Sequence, residues 1–70
     1  MKIHINGTVY TLIDEDQANI SAALALFFKQ PQQSTFAVAL NGDFIGKDDY
    51  QGTSLTHGDS IDILQPIQGG

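Results

Sequence analysis

The sequence closes on Ile67-Gln68-Gly69-Gly70, and its last two residues are the ones whose type and spacing best suit chemistry. Lacking a Cβ, both can enter a narrow channel and let their backbone approach another enzyme's active site closely. Two terminal glycines arise by chance in about 0.5% of chains at the average glycine usage of ~7%. A terminal carboxylate resists nucleophiles until one of its oxygens becomes part of a leaving group. Adenylation with ATP does this, after which sulfide or a persulfide can displace AMP and leave a thiocarboxylate. In such a scheme the catalytic groups and the nucleotide site sit on an activating enzyme, and this chain supplies an extended tail and a recognisable body. The plain alternatives are a linker stub or an end with no task.

Other chemistry-bearing residues are sparse. His4 and His57 have no matched set of ligands near them in sequence, whereas a zinc site needs about four; His4 reads as a strand surface residue and His57 as a turn residue, so no metal site is expected. Asp14-Glu15-Asp16 and Asp48-Asp49 lack the oxygen-rich alternation, glycine and terminal glutamate of a calcium loop, and read as solvated loop charges. Tyr50 reads as a core plug. Cysteine is absent, which excludes disulfides, thiolate metal sites and cysteine nucleophiles.

Composition narrows the function further. At 70 residues the chain is expected to be one domain, burying only about 60% of the surface its unfolded form exposes. That leaves little material for a closed catalytic cavity. Eight acidic residues against Lys2, Lys29 and Lys47 give a formal net charge of −5. Nucleic-acid binding needs basic side chains to neutralise phosphates, and three scattered lysines are too few. The acidity suits solubility and steering toward a basic partner surface. No apolar run approaches the ~18 residues of a membrane span, and the start Met1-Lys2-Ile3-His4 lacks the apolar stretch of a signal peptide. A soluble, cytoplasmic, free monomer is the expectation.

The elements that must position the tail follow from periodicity. Ile3 and Ile5 alternate with Lys2, His4 and Asn6 as in a half-buried strand. Asn6-Gly7 suits a tight hairpin turn, pairing Ile5 with Thr8 and Ile3 with Tyr10. Tyr10 and Leu12 then face the core, and His4, Val9 and Thr11 the other side. Asn19 is a helix N-cap candidate, with Ile20, Ala23, Leu24 and Phe27 at helical spacing and Phe28 beside them. Pro31 disfavours helix at Gln30, which predicts an end near Lys29 or Gln30. Phe36 to Leu40 reads as a third strand with Val38 and Leu40 inward, and Asn41-Gly42 as a second hairpin turn before a short strand at Phe44 and Ile45. An irregular stretch runs from Gly46 to Thr53. Leu55 reads as a core plug and His57-Gly58-Asp59 as a turn. Ile61, Ile63 and Leu64 begin the last strand, and Pro66 belongs where pairing ceases.

This order predicts an α+β fold of the β-grasp (ubiquitin-like) type: a mixed sheet of four to five strands, one helix on one face, first and last strands parallel neighbours. Residues 1–70 form the domain, with 67–70 a flexible C-terminal tail. One helix covers one sheet face, leaving the other for a partner. Val9, Ala39 and Leu64, with Ile67 beyond them, are the apolar residues assigned to that partner face; scattered exposed apolar residues also occur without any role.

Val38-Ala39-Leu40-Asn41-Gly42, then Leu55-Thr56-His57-Gly58-Asp59-Ser60-Ile61, then the terminal Gly69-Gly70 together resemble the ThiS family, the sulfur carriers of thiamin biosynthesis. The resemblance spans essentially the whole chain. It implies that Gly70 is adenylated and bears the sulfur, that Gly69 permits access, and that the chain is a carrier rather than an enzyme. It further implies a ThiF-like adenylating partner that uses ATP, a ThiG-like thiazole synthase that receives the sulfur, and no resident cofactor. Gln65-Pro66-Ile67 also resembles the MoaD-type small subunit of molybdopterin synthase, a second possibility beside a β-grasp module that binds without chemistry or a ubiquitin-like modifier joined to lysines.

Overall fold

Two Asn-Gly pairs set the frame. Asn6 and Gly7 have φ of 51° and 83°, and Asn41 and Gly42 have φ of 51° and 89°. Two-residue turns of this hand match the twist of the strands they join, and asparagine and glycine adopt them at least cost. In the computed structural model, which describes residues 1–28 and 36–65, the first turn joins β1 (Lys2–Ile5) to β2 (Thr8–Thr11). The second joins β3 (Ala37–Leu40) to β4 (Asp43–Ile45). Ile5 pairs with Thr8 and Ile3 with Tyr10, the register expected from the turn.

The last strand, β5 (Ser60–Leu64), enters between the two hairpins. It runs parallel to β1, with Ile5 beside Ile61, and antiparallel to β3, with Val38 beside Ile63. The sheet order is β2-β1-β5-β3-β4. With α1 (Ile20–Phe27), the one α-helix among the described residues, this is the β-grasp arrangement, here with five strands described.

Period-two alternation sends Ile3, Ile5, Val38, Ile61 and Ile63 to one face of the sheet, where none is more than 5% exposed. Ile20 and Ala23 of α1 close over them, and Leu12, Ala18 and Leu55 seal the rim. Each fully buried isoleucine contributes about 1.5–3 kcal/mol. The helix starts as expected: Asn19 is extended, and its Oδ1 accepts from the Ala22 N–H at 2.9 Å, satisfying one of the unpaired amides of the first turn.

It stops earlier than Pro31 alone requires. The expected end at Lys29 or Gln30 is corrected to Phe27, because Phe28 is already extended (φ −95°, ψ 105°) while its N–H still donates to the Leu24 carbonyl. That turn lets the Phe28 ring meet Phe27 edge-on at 4.9 Å and Phe36 at 4.9 Å. Ring packing outweighs one further helical turn, and proline restricts only its immediate predecessor. Tyr10 stands 6.5 Å from Phe27, and Tyr50 stacks on Phe36 at 6.4 Å. Tyr50 is thus a half-buried plug, as expected.

Between β4 and β5 the chain is irregular apart from a 3₁₀ turn at Lys47–Asp49. It braces the start of the helix through Ile20 N–H to the Thr53 carbonyl (3.2 Å) and Leu55 N–H to the Ala18 carbonyl (2.9 Å).

Candidate functional site

Gly69, Gly70 and Ile67 lie outside the described residues, as does Pro66. The structure defines instead the strand that leads to them and the surface beside it. Entering β5, the carbonyls of Asp59, just before the strand, and Ile61 accept from the backbone of His4 in β1 and of Asn6 just after it (N–H, both 2.9 Å), while the Ser60 carbonyl accepts from Asn41 N–H at 2.7 Å on the opposite side. Strand alternation then turns the N–H and C=O of Ile63 toward β1. Yet β1 has already left the sheet at the Asn6-Gly7 turn.

The Asn6 side chain fills that gap. Its Oδ1 accepts from the Ile63 N–H at 2.8 Å and its Nδ2 donates to the Ile63 carbonyl at 3.3 Å. A carboxamide carries one acceptor and two donors in a plane, so it imitates the peptide group that a longer β1 would present. The second turn does the reciprocal task at the other end of β5. Asn41 Oδ1 accepts from Ser60 N–H at 2.9 Å, and its Nδ2 donates to Asp59 Oδ1 at 3.0 Å.

Asp59 is held by more than Asn41. Its carboxylate also accepts from Thr56 N–H at 2.8 Å and from the Thr56 hydroxyl at 3.1 Å. Partial burial pushes the carboxyl up, but these hydrogen bonds to its charged form outweigh burial and set it below its ordinary value.

The open face of the sheet is built from the alternate residues. Phe44 lies opposite Ala39, Ala39 opposite Asp62, and Ala37 opposite Leu64. Because β3 contributes only two methyl groups, Phe44 (73% exposed) and Leu64 (64%) stand above it on either side. Val9, 52% exposed, is on the same face but two strands from Leu64, opposite His4, which in turn lies beside Ser60. So Ala39 and Leu64 come together, and Val9 is set apart by polar neighbours. Sequence reasoning missed Phe44 as a member; the inward Ile45 beside it was the available signal. It also missed the two asparagine side chains, since an Asn-Gly pair announces only its backbone.

His4 is exposed on β1. His57 sits in the turn before β5, its Nδ1 accepting from Lys2 N–H at 3.1 Å. Among the described residues no group of three or more histidines and carboxylates is placed to hold a metal ion, and no helix is long and apolar enough to cross a membrane.

The crystal structure of a thiamine biosynthesis protein (ThiS) from Geobacter metallireducens superposes with a TM-score of 0.76 at 26% sequence identity, covering 100% of both chains. A solution NMR structure of a thiamine biosynthesis protein from the same organism gives a TM-score of 0.73 at 26% identity, covering 100% of this chain and 88% of that one. No curated protein matches the sequence significantly. The ThiS family model matches residues 3–70, a span that takes in both hairpins, the helix, β5 and the two final glycines, and on that match the chain belongs to the ThiS family.

Proposed function

We propose that this chain is a sulfur carrier of thiamine biosynthesis, loaded at Gly70. A ThiF-like enzyme binds the carrier and ATP. An oxygen of the Gly70 carboxylate attacks the α-phosphorus, pyrophosphate leaves, and an acyl-adenylate forms. The sulfur of hydrosulfide then adds to the Gly70 carbonyl carbon, AMP departs with the bonding electrons, and the resulting thioacid loses its S–H proton to water to leave a thiocarboxylate. A ThiG-like thiazole synthase takes that sulfur. ATP belongs to the activating partner, and this chain needs no cofactor of its own.

The observation that carries the reading is the family match over residues 3–70, which extends through the diglycine. The architecture supports it in physical terms: β5, the strand that precedes the C-terminal residues, is the central strand, flanked by β1 at its start and by β3 through Leu64. The open face offers Phe44, Ala39 and Leu64 for a partner to grip while the tail is being processed. Exposed aromatic and aliphatic side chains around a shallow floor are the usual anchors of such contacts. The ThiS match favours the thiamine pathway over the molybdopterin alternative.

Intact-mass spectrometry after incubation with a ThiF-type activating enzyme, ATP and a sulfur donor tests the proposal. A carrier gains the mass difference between sulfur and oxygen at Gly70. A chain that only binds keeps its mass, and lysine-linked adducts would mark a modifier instead.

A further inference from the structure

The Asn6 carboxamide and the peptide groups of Ile63 stand in a relation that the turn does not require. A type I′ hairpin needs only a residue tolerant of positive φ at that place, and glycine serves as well as asparagine. What glycine lacks is the pair of bonds to Ile63 N–H (2.8 Å) and C=O (3.3 Å). Ile63 is buried at 5% exposure and is the next-to-last residue of β5. Its backbone groups face the side that β1 has vacated. Left without Asn6, they would turn to water, and the end of β5 would be held on one side only, by β3 with Ala37 opposite Leu64.

We propose that Asn6 is a positioning residue for the loading reaction: by holding Ile63 it sets the point and the heading from which the C-terminal residues leave the sheet. The inference rests on the carrier reading above. From Leu64 to the Gly70 carboxyl there are six residues, and the partner that grips the open face must find that carboxyl at a set reach. Releasing Ile63 shifts the start of this span and adds conformations, so fewer bound carriers have the carboxylate in line with the nucleotide. Misplacement of a reacting group lowers turnover without weakening the docking contact.

Asn41 supplies the control. It has the same φ of 51° in the same kind of turn, and it too bonds β5 through its side chain, but at Ser60, the end remote from the tail. Asn6→Gly and Asn41→Gly therefore remove comparable bonds from opposite ends of one strand while leaving both turns with a glycine. A merely structural role makes the two variants alike.

The experiment measures pyrophosphate release by a ThiF-type enzyme with the full-length carrier as variable substrate, alongside amide exchange of the free carrier. Asn6→Gly is expected to lower kcat about tenfold with KM nearly unchanged, and to speed exchange at Ile63. Asn41→Gly is expected to leave kcat intact and to speed exchange at Ser60 instead. Asn6→Asp keeps the turn and the acceptor for Ile63 N–H but sets an oxygen against the Ile63 carbonyl. It should fall between wild type and Asn6→Gly, and serves if the glycine variant does not fold. Equal kcat for Asn6→Gly and Asn41→Gly, or a change confined to KM, overturns the role given to Asn6. A wild-type chain that yields no pyrophosphate overturns the carrier reading itself, and this role with it.

Discussion

The rings of Phe28 and Phe36 lie 4.9 Å apart, joining the first residue after the helix to the residue before β3. In so small a domain these half-buried rings extend a core made mainly of isoleucines.

Truncating one of them should therefore cost stability out of proportion to its exposure. Full burial of a phenylalanine makes its loss worth 3–5 kcal/mol, so a half-buried ring should be worth about 2 kcal/mol. For Phe28→Ala this corresponds to a fall of about 10 °C in Tm. Thermal melts followed by circular dichroism check it, and an unchanged Tm would mean that the contact is not part of the cooperative unit.

Asp59 should give the protein an acid-sensitive increment of stability. Its carboxyl is held below the ordinary value of 3.8 in the folded chain, so on acidification the unfolded chain takes up the proton first. The contribution is fully present above that ordinary value and disappears as pH falls through the lower folded value. Asp59→Asn should flatten that part of the profile. Melts between neutral pH and about pH 2.5 compare the two, and parallel acid limbs would contradict the assignment.

On the open face, Phe44→Ser and Leu64→Ser should behave differently from core substitutions. Both side chains are mostly exposed, so stability should change by no more than about 0.5 kcal/mol. If this face docks the activating enzyme, each should raise the KM for the carrier by about tenfold while sparing kcat. Val9→Ser, two strands from Leu64 and beside polar His4, should have a smaller effect. Steady-state adenylation kinetics read all three.

At the tail, deletion of Gly70 or replacement of Gly69 by a bulky residue should abolish sulfur loading. The strands, the helix and the buried core among the described residues are built from positions 2–64, so circular dichroism and Tm are expected to match the parent chain. Loading of either variant at the normal rate, read by intact mass, would rule out the tail mechanism.

Much of this molecule is local physics, and so was legible in the residue order. Asn6-Gly7 and Asn41-Gly42 dictate two hairpins whatever surrounds them, Ile3 and Ile5 select a buried face by alternation, and Asn19 caps a helix through an amide only three residues away. The final glycines announce themselves by composition alone. What the tertiary structure decided involves partners far apart in the chain. Phe28 leaves the helix early to reach Phe36. Phe44 joins Ala39 and Leu64 only because β5 inserts beside β3, leaving Val9 on the far side of His4. Asn6 meets Ile63 across 57 positions, where a turn residue completes a strand it does not belong to. Periodicity and turn chemistry act over a few residues, whereas which side chain takes the place of a missing backbone depends on how whole strands are laid together.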